Sequence, residues 1–226
     1  NLVTQTDRES EENIKSIISK IFPDHAILGE ETGDTKSNSP YLWVIDPLDG
    51  TTNFVHDYPS YAVSIGVLYE GQPIVGVIME LPMNKMYFAV QNEGTYCDTE
   101  RISVSTTSDL SQSLLVTGFG YDHGSLWETN MGLFKHFTNI TQGVRRLGAA
   151  SVDLCHVASG KADGFWEFDL HPWDTAAGIL IVTEAGGTIS KIDGAPFMIN
   201  DKQIIASNGF IHNKFIDEIK NKNAFS

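Results

Sequence analysis

Trp43-Val44-Ile45-Asp46-Pro47-Leu48-Asp49-Gly50-Thr51-Thr52-Asn53-Phe54-Val55-His56 opens as an apolar strand and ends in two carboxylates, a glycine and two hydroxyls. Val44 and Ile45 read as a buried strand stopped by Pro47, so Asp46 and Asp49 are expected to emerge together at its carboxyl end. Ligands of α/β sheets collect at such ends. Gly50 lets the backbone pass close to a ligand, and Thr51, Thr52 and Asn53 begin a short helix whose free N–H groups suit phosphate. The stretch therefore reads as a site for a metal ion and a phosphate.

The 226 residues can bury one substantial core, and a single domain of two lobes, about 1–140 and 141–226, is expected. Acidic residues number 29 against 15 basic ones, a formal charge of −14 that disfavours nucleic acid and anionic lipid as partners. No apolar run approaches the ~20 residues of a membrane span. Cys97 and Cys155 lack the spacing of a zinc cluster or a disulfide framework and are expected to be reduced, consistent with a cytoplasmic protein. The chain opens at Asn1, and Leu2-Val3-Thr4 reads as an extended segment feeding a helix, so a preceding helix is expected to be missing.

Thr6-Asp7-Arg8-Glu9 resembles a capping box, followed by Ile14, Ile17, Ile18, Ile21 and Phe22 at helical spacing. A short strand at Ile27-Leu28, the Gly29-Glu30-Glu31 element and a polar loop over 33–40 come next. Strands are expected at 61–69, 74–80 and 86–90 as an antiparallel meander, then at 114–117, 162–168 and 203–206. Helices are expected over 127–137 and 149–158, from Pro172 to Gly186-Gly187, and from His212 onward.

Five acids stand beside strand ends or helix starts: Asp7, Glu30, Asp46, Asp49 and Asp174. Carboxylate oxygens of this kind suit Mg²⁺. Each also has an ordinary reading, since Asp7 could serve a helix dipole, Glu30-Glu31 a solvated loop and Asp174 a helix cap. His56, His156 and His171 lack ligand spacing and read as structural. Arg145-Arg146 is a basic pair that could meet a second phosphate, a partner subunit or solvent.

Two stretches carry a resemblance. Trp43 to His56 is similar to the first signature of the inositol monophosphatase family, and Trp173 to Gly187 to its second, with Gly29-Glu30-Glu31 lying before them in order. Thr4 to Asp7 resembles the family segment that supplies an upstream aspartate, and Leu147 to Ser151 the stretch lining the sugar-alcohol pocket. The fold this implies is α+β, a layered αβαβα sandwich. The resemblance also implies two to three Mg²⁺ ions. Glu30, Asp46 and the Leu48 carbonyl would hold the first, and Asp46, Asp49 and Asp174 the second. A third would lie near Glu30, with Glu31 as a neighbour.

By the same resemblance Asp7, Thr51 and Glu30 are catalytic, activating water. Gly50, Thr51 and Thr52 would receive phosphate, while Asp49, Gly148, Ala149, Ala150, Glu167 and Asp174 would bind the rest of the substrate. The implied activity is Mg²⁺-dependent, lithium-sensitive hydrolysis of a small phosphorylated polyol or sugar by a homodimer, with inositol 1-phosphate the leading substrate. Thr52-Asn53-Phe54 resembles the inositol type, whereas enzymes acting on 3′-phosphoadenosine 5′-phosphate carry Lys-Glu-Phe there. Fructose 1,6-bisphosphate and histidinol phosphate stay open as substrates, because relatives acting on them share Thr-Asn-Phe. Thr117 to Asp122 resembles bacterial and organellar members with shifted specificity. A non-catalytic Mg²⁺-binding regulatory protein is the alternative of another class.

Overall fold

The computed structural model describes residues 4–35, 37–120 and 123–223. Leu2, Val3, Tyr121 and Asp122, which entered the sequence reading, lie outside them. Helix α1 (Gln5–Ile21) leads into strands β1 (Ala26–Gly29), β2 (Gly33–Thr35) and β3 (Tyr41–Asp49), the short helix α2 (Thr51–Val55), and β4 (Ala62–Tyr69), β5 (Gln72–Glu80), β6 (Lys85–Val90), β7 (Gly94–Cys97) and β8 (Glu100–Ile102). These strands form one eight-stranded sheet in the order β2-β1-β3-β4-β5-β6-β7-β8. Only the β1–β3 pair is parallel, so Glu30 and Asp46 leave the sheet in the same direction.

The chain continues through β9 (Leu114–Thr117), α3 (Ser125–Ile140), β10 (Gly143–Arg145), α4 (Ala150–Ala158), β11 (Gly164–Phe168), α5 (Pro172–Glu184), β12 (Thr188–Ser190), β13 (Gln203–Ser207) and α6 (His212–Asn223). Its strands make a second, five-stranded sheet, β10-β9-β11-β13-β12. Helix α1 packs on β3; α4 and α5 lie between the sheets, α5 on β4 and β5 and α4 on β11; α3 and α6 cover the far side. This is the expected αβαβα layering.

The largest core lies in the middle layer, and a second, around Phe137, Trp166 and Phe215, lies under α3 and α6. Val152, Leu154, Cys155, Ala177 and Ile181 are fully buried in the middle layer, and each large aliphatic side chain so buried contributes roughly 1.5–3 kcal/mol. Helix α5 can lie this close because Gly66 and Gly76 face it from β4 and β5. A Cβ at Gly66 would come within 2.7 Å of Ala176 Cβ, and one at Gly76 within 2.6 Å of the Ala177 carbonyl. That close approach brings the first turn of α5 to the end of β3.

Several local expectations are corrected. Strand β3 does not stop at Pro47 but runs to Asp49, and its register against β4 shifts between Asp46 and Asp49. Proline is tolerated there because the irregularity removes the need for its ladder donor. The cap of α1 is Thr4 paired with Asp7, two residues earlier than Thr6 and Glu9. Ile18 is 5% exposed and faces the sheet, but Ile17 and Ile21 are 62% and 61% exposed, so the inward stripe is narrower than the isoleucine spacing suggests. The polar loop contains β2, and Asp174 sits at the third position of α5, behind His171 as N-cap.

Candidate active site

The carboxyl end of β3, the start of α2, the turn before α4, the end of β11 and the start of α5 surround one cavity of about 340 Å³. Glu30, Asp46, Leu48, Asp49, Gly50, Thr51, Gly148, Ala149, Ala150, Glu167 and Asp174 all line it. Residues separated by more than a hundred positions are thus brought together by the close seating of α5. Asp7 stands behind Thr51, whose Oγ1 donates to Asp7 Oδ1 at 2.9 Å. Thr52 lies one position along α2, solvent-exposed and outside the lining.

Each side chain is fixed by its own element. Asp46 is 2% exposed, and its Oδ1 accepts the Leu48 N–H at 3.0 Å, folding the β3 end back on itself. Asp49 Oδ2 accepts the Ser151 N–H at 2.7 Å and the Ser151 hydroxyl at 2.5 Å, tying the first signature to the start of α4. Asp174 Oδ2 accepts the His171 N–H at 2.6 Å, closing the capping box of α5. Glu167 lies over Gly118, so closely that a Cβ at Gly118 would overlap its carboxyl group.

The electrostatics are those of crowded acids. Burial first, then Glu31 and Asp49, pushes the Glu30 carboxyl up to about 7. Burial, then Asp49 and Glu30, holds Asp46 well above the usual carboxylate range. Asp174 is raised by burial and Asp49. Burial raises Asp49 as well, against hydrogen bonds from Ser151 that favour its charge. Glu167 is raised by burial and by Asp153, whose two carboxyl oxygens have no hydrogen-bond partner. Such a set repels itself unless protons or cations offset it.

The donor chemistry fits a hard divalent cation, being carboxylate oxygen throughout with one backbone carbonyl at Leu48. Among the described residues no three acidic, histidine or cysteine side chains close into a ready-formed ion cage. The carboxyls share the cavity and repel one another, with Glu30 and Asp46 within hydrogen-bond reach. A more open hollow of about 620 Å³ lies at the other end of β1 and β3, beside His25, Thr35 and Ser39, and among the described residues holds only Asp24 as an acid.

Asp169 was missed by the sequence reading, while Arg146, His171 and the 117–122 stretch were noted without being placed on the wall of the acid-lined cavity. Gly118, Phe119, Gly120, Asp169, His171 and Trp173 also line the cavity, as does Arg146, its single cationic side chain among the described residues. Asp169 has φ of 62°, a left-handed conformation uncommon outside glycine that aspartate and asparagine adopt more readily than other residues. His171 stacks on Trp173 with centroids 4.8 Å apart and planes within 5°, so it reaches the rim through its role as helix cap.

A sequence model of the inositol monophosphatase family matches residues 1–224. The chain is 51% identical over 225 residues to the Arabidopsis thaliana protein named phosphatase IMPL1, chloroplastic, covering 96% of this chain and 61% of that protein. It is 40% identical over 220 residues to an Aquifex aeolicus protein named fructose-1,6-bisphosphatase/inositol-1-monophosphatase, covering 97% of this chain and 82% of that one. The solved inositol monophosphatase of Anabaena (Nostoc) superimposes with a TM-score of 0.92 at 45% identity, covering 97% of this chain and 87% of that one.

Proposed function

Because the chain belongs to the inositol monophosphatase family, we propose that it hydrolyses a small phosphomonoester in a Mg²⁺-dependent reaction, with inositol 1-phosphate as leading substrate. The observation that carries this reading is the convergence of Glu30, Asp46, Leu48, Asp49 and Asp174 on the cavity that Thr51 and Gly50 also line. Glu30, Asp46 and the Leu48 carbonyl would hold one Mg²⁺, and Asp46, Asp49 and Asp174 another, with a third on the Glu30 side. When bound, Mg²⁺ would neutralise charge on the phosphoryl oxygens and make water a better nucleophile.

The chain's own groups do the rest. Thr51 Oγ1 lies within hydrogen-bond reach of Asp7 Oδ1 at 2.9 Å and of the Leu48 carbonyl at 3.0 Å; it would accept a hydrogen bond from the attacking water and, in taking that water's proton, pass its own to Asp7. Backbone N–H groups at Gly50, Thr51 and Thr52 would take phosphate oxygens as the water oxygen bonds to phosphorus and the ester oxygen departs, taking its proton from a water near Asp174. Glu167, Asp49, Asp174 and the Gly148-Ala149-Ala150 backbone would read the alcohol's hydroxyls. Carboxylates do this selectively, since an analogue lacking the hydroxyl leaves them unpaired.

Arg146 favours a second reading of the substrate. A lone cation among acids suits a ligand with a second anionic group, as fructose 1,6-bisphosphate has. Lithium sensitivity, a homodimer and a reducing compartment such as the cytoplasm complete the proposal. Free cysteines at Cys97 and Cys155 support the compartment, and the exposed Leu81, Met83 and Met86 of the β5–β6 hairpin offer apolar surface to a second copy. Among the described residues no helix is long and apolar enough to cross a membrane.

The test is phosphate release from inositol 1-phosphate, fructose 1,6-bisphosphate, histidinol phosphate and 3′-phosphoadenosine 5′-phosphate, with Mg²⁺ and with EDTA. Mg²⁺-dependent release led by inositol 1-phosphate supports the proposal; leadership by the bisphosphate supports the second reading. Metal binding with no release from any substrate would favour a regulatory protein instead.

A further inference from the structure

Two buried carboxylates project from one face of α1, four positions apart. Asp7 reaches Thr51, as described. Glu11 is 0% exposed and enters no step of the proposed reaction. Its Oε2 accepts the Glu31 N–H at 2.9 Å, and its Oε1 accepts the Thr32 N–H at 3.2 Å and the Thr32 hydroxyl. Lys15, one turn further along the helix, stands 3.8 Å from Oε1. A buried charge is costly unless hydrogen-bonded, and this one is satisfied by the two residues that follow Glu30.

The residue before Glu30 records the same contact. A Cβ on Gly29 would overlap the Glu11 carboxyl group, so the carboxylate lies directly against the backbone there. On its other side Glu30 donates its N–H to the Ile45 carbonyl at 3.2 Å, next to Asp46. Glu30 is therefore held between β3, which carries Asp46, and the Glu11 carboxylate. Ser10 adds a parallel tie, its hydroxyl donating to the Pro47 carbonyl at 3.1 Å between Asp46 and Leu48.

We infer that Glu11 is a positioning residue for Glu30, and that α1 acts through Asp7, Ser10 and Glu11 as a polar clamp setting the Glu30 turn against the Asp46–Thr51 segment. The inference rests on the proposed role of Glu30 as a metal ligand. Groups that orient a ligand are commonly worth about 10- to 100-fold in metal affinity.

The experiment measures Mn²⁺ binding by electron paramagnetic resonance, alongside Mg²⁺ activation of phosphate release and circular dichroism of each variant. Glu11→Gln keeps the volume but turns an amide N–H₂ toward N–H donors, and Gly29→Ala displaces the carboxylate without altering it. Both should weaken Mn²⁺ binding about tenfold or more and raise the Mg²⁺ needed for half-maximal activity, with kcat regained as Mg²⁺ is raised. Lys15→Ala should bind as wild type does. Ile18→Ala, a core change on the same helix, should lower Tm without moving the Mn²⁺ affinity. Wild-type Mn²⁺ affinity in both Glu11→Gln and Gly29→Ala would overturn the inference, as would an equal loss in Ile18→Ala. If wild type itself binds no Mn²⁺, the metal reading of the site fails before the role of Glu11 is reached.

Discussion

Thr51 Oγ1 donates to Asp7 Oδ1 at 2.9 Å across 44 positions of sequence, while Asp7 Oδ2 accepts the Thr4 N–H at 2.9 Å. Asp7 is 1% exposed, so both of its oxygens are committed inside the protein. One carboxylate thus closes the cap of α1 and, together with the Leu48 carbonyl 3.0 Å away, holds the Thr51 hydroxyl. Asp7→Asn and Thr51→Ala should each lower kcat by about 10²- to 10⁴-fold with little change in KM, the range for lost general acid–base assistance. Thr51→Ser should keep most activity. Steady-state kinetics at saturating Mg²⁺ checks this, and near-wild-type kcat in Asp7→Asn would remove the pair from the reaction.

The acid cluster ties stability to pH. Glu30 is raised from 4.5 to about 7 by burial and by Glu31 and Asp49, so between those values the folded chain holds a proton that the unfolded chain has lost. The contribution of this group therefore falls as pH rises through that window. In EDTA, Tm should decline from about pH 5 to about pH 7, and added Mg²⁺, which favours the ionised form, should raise Tm more at the upper end. Thermal scans with and without Mg²⁺ measure it. A metal-free Tm that climbs through the window would contradict the crowded-acid account.

Glu167 packs on bare backbone at Gly118. Gly118→Ala should displace that carboxyl group and cost roughly 1–3 kcal/mol in kcat/KM for inositol 1-phosphate, the scale of a lost hydroxyl contact. Turnover of p-nitrophenyl phosphate, which has no polyol, should change much less. Equal losses on both substrates would mean that Glu167 does not read the alcohol.

Arg146 is the cation on the cavity wall among the described residues. Arg146→Ala should lower kcat/KM for fructose 1,6-bisphosphate about tenfold or more while leaving inositol 1-phosphate within a few-fold, as expected for a charge-assisted contact to a second phosphate. Parallel losses would assign Arg146 to the common part of both substrates.

Much of this was legible in the sequence because the signals were local and physical. Pro172 and Gly186-Gly187 bracket α5, and the apolar 114–117 run is β9 in the structure. Five short strands went unread. In β8, Glu100-Arg101-Ile102 has no alternation to detect, and β2, β7, β10 and β12 are three or four residues each, held by their neighbours in the sheet. Asp7, Glu30, Asp46, Asp49 and Asp174 could be singled out because each flanks a strand end or helix start, while Glu167, inside β11, came only from the family resemblance. Asp169 follows the last residue of β11 but lies in neither signature, and it was passed over. Glu11 was not singled out, for its partners are the backbone N–H groups of residues 31 and 32, which a sequence does not display.

The most direct test compares wild type with Asp46→Asn on inositol 1-phosphate, with Mg²⁺ and with EDTA, using circular dichroism to show that both are folded. Asp46 is buried and coupled by charge to Asp49, Glu30 and Asp174. Wild type should release phosphate with Mg²⁺ and stop in EDTA, while folded Asp46→Asn should release none under either condition. Release that survives EDTA, or an active Asp46→Asn enzyme, would contradict a metal-dependent phosphatase centred on Asp46.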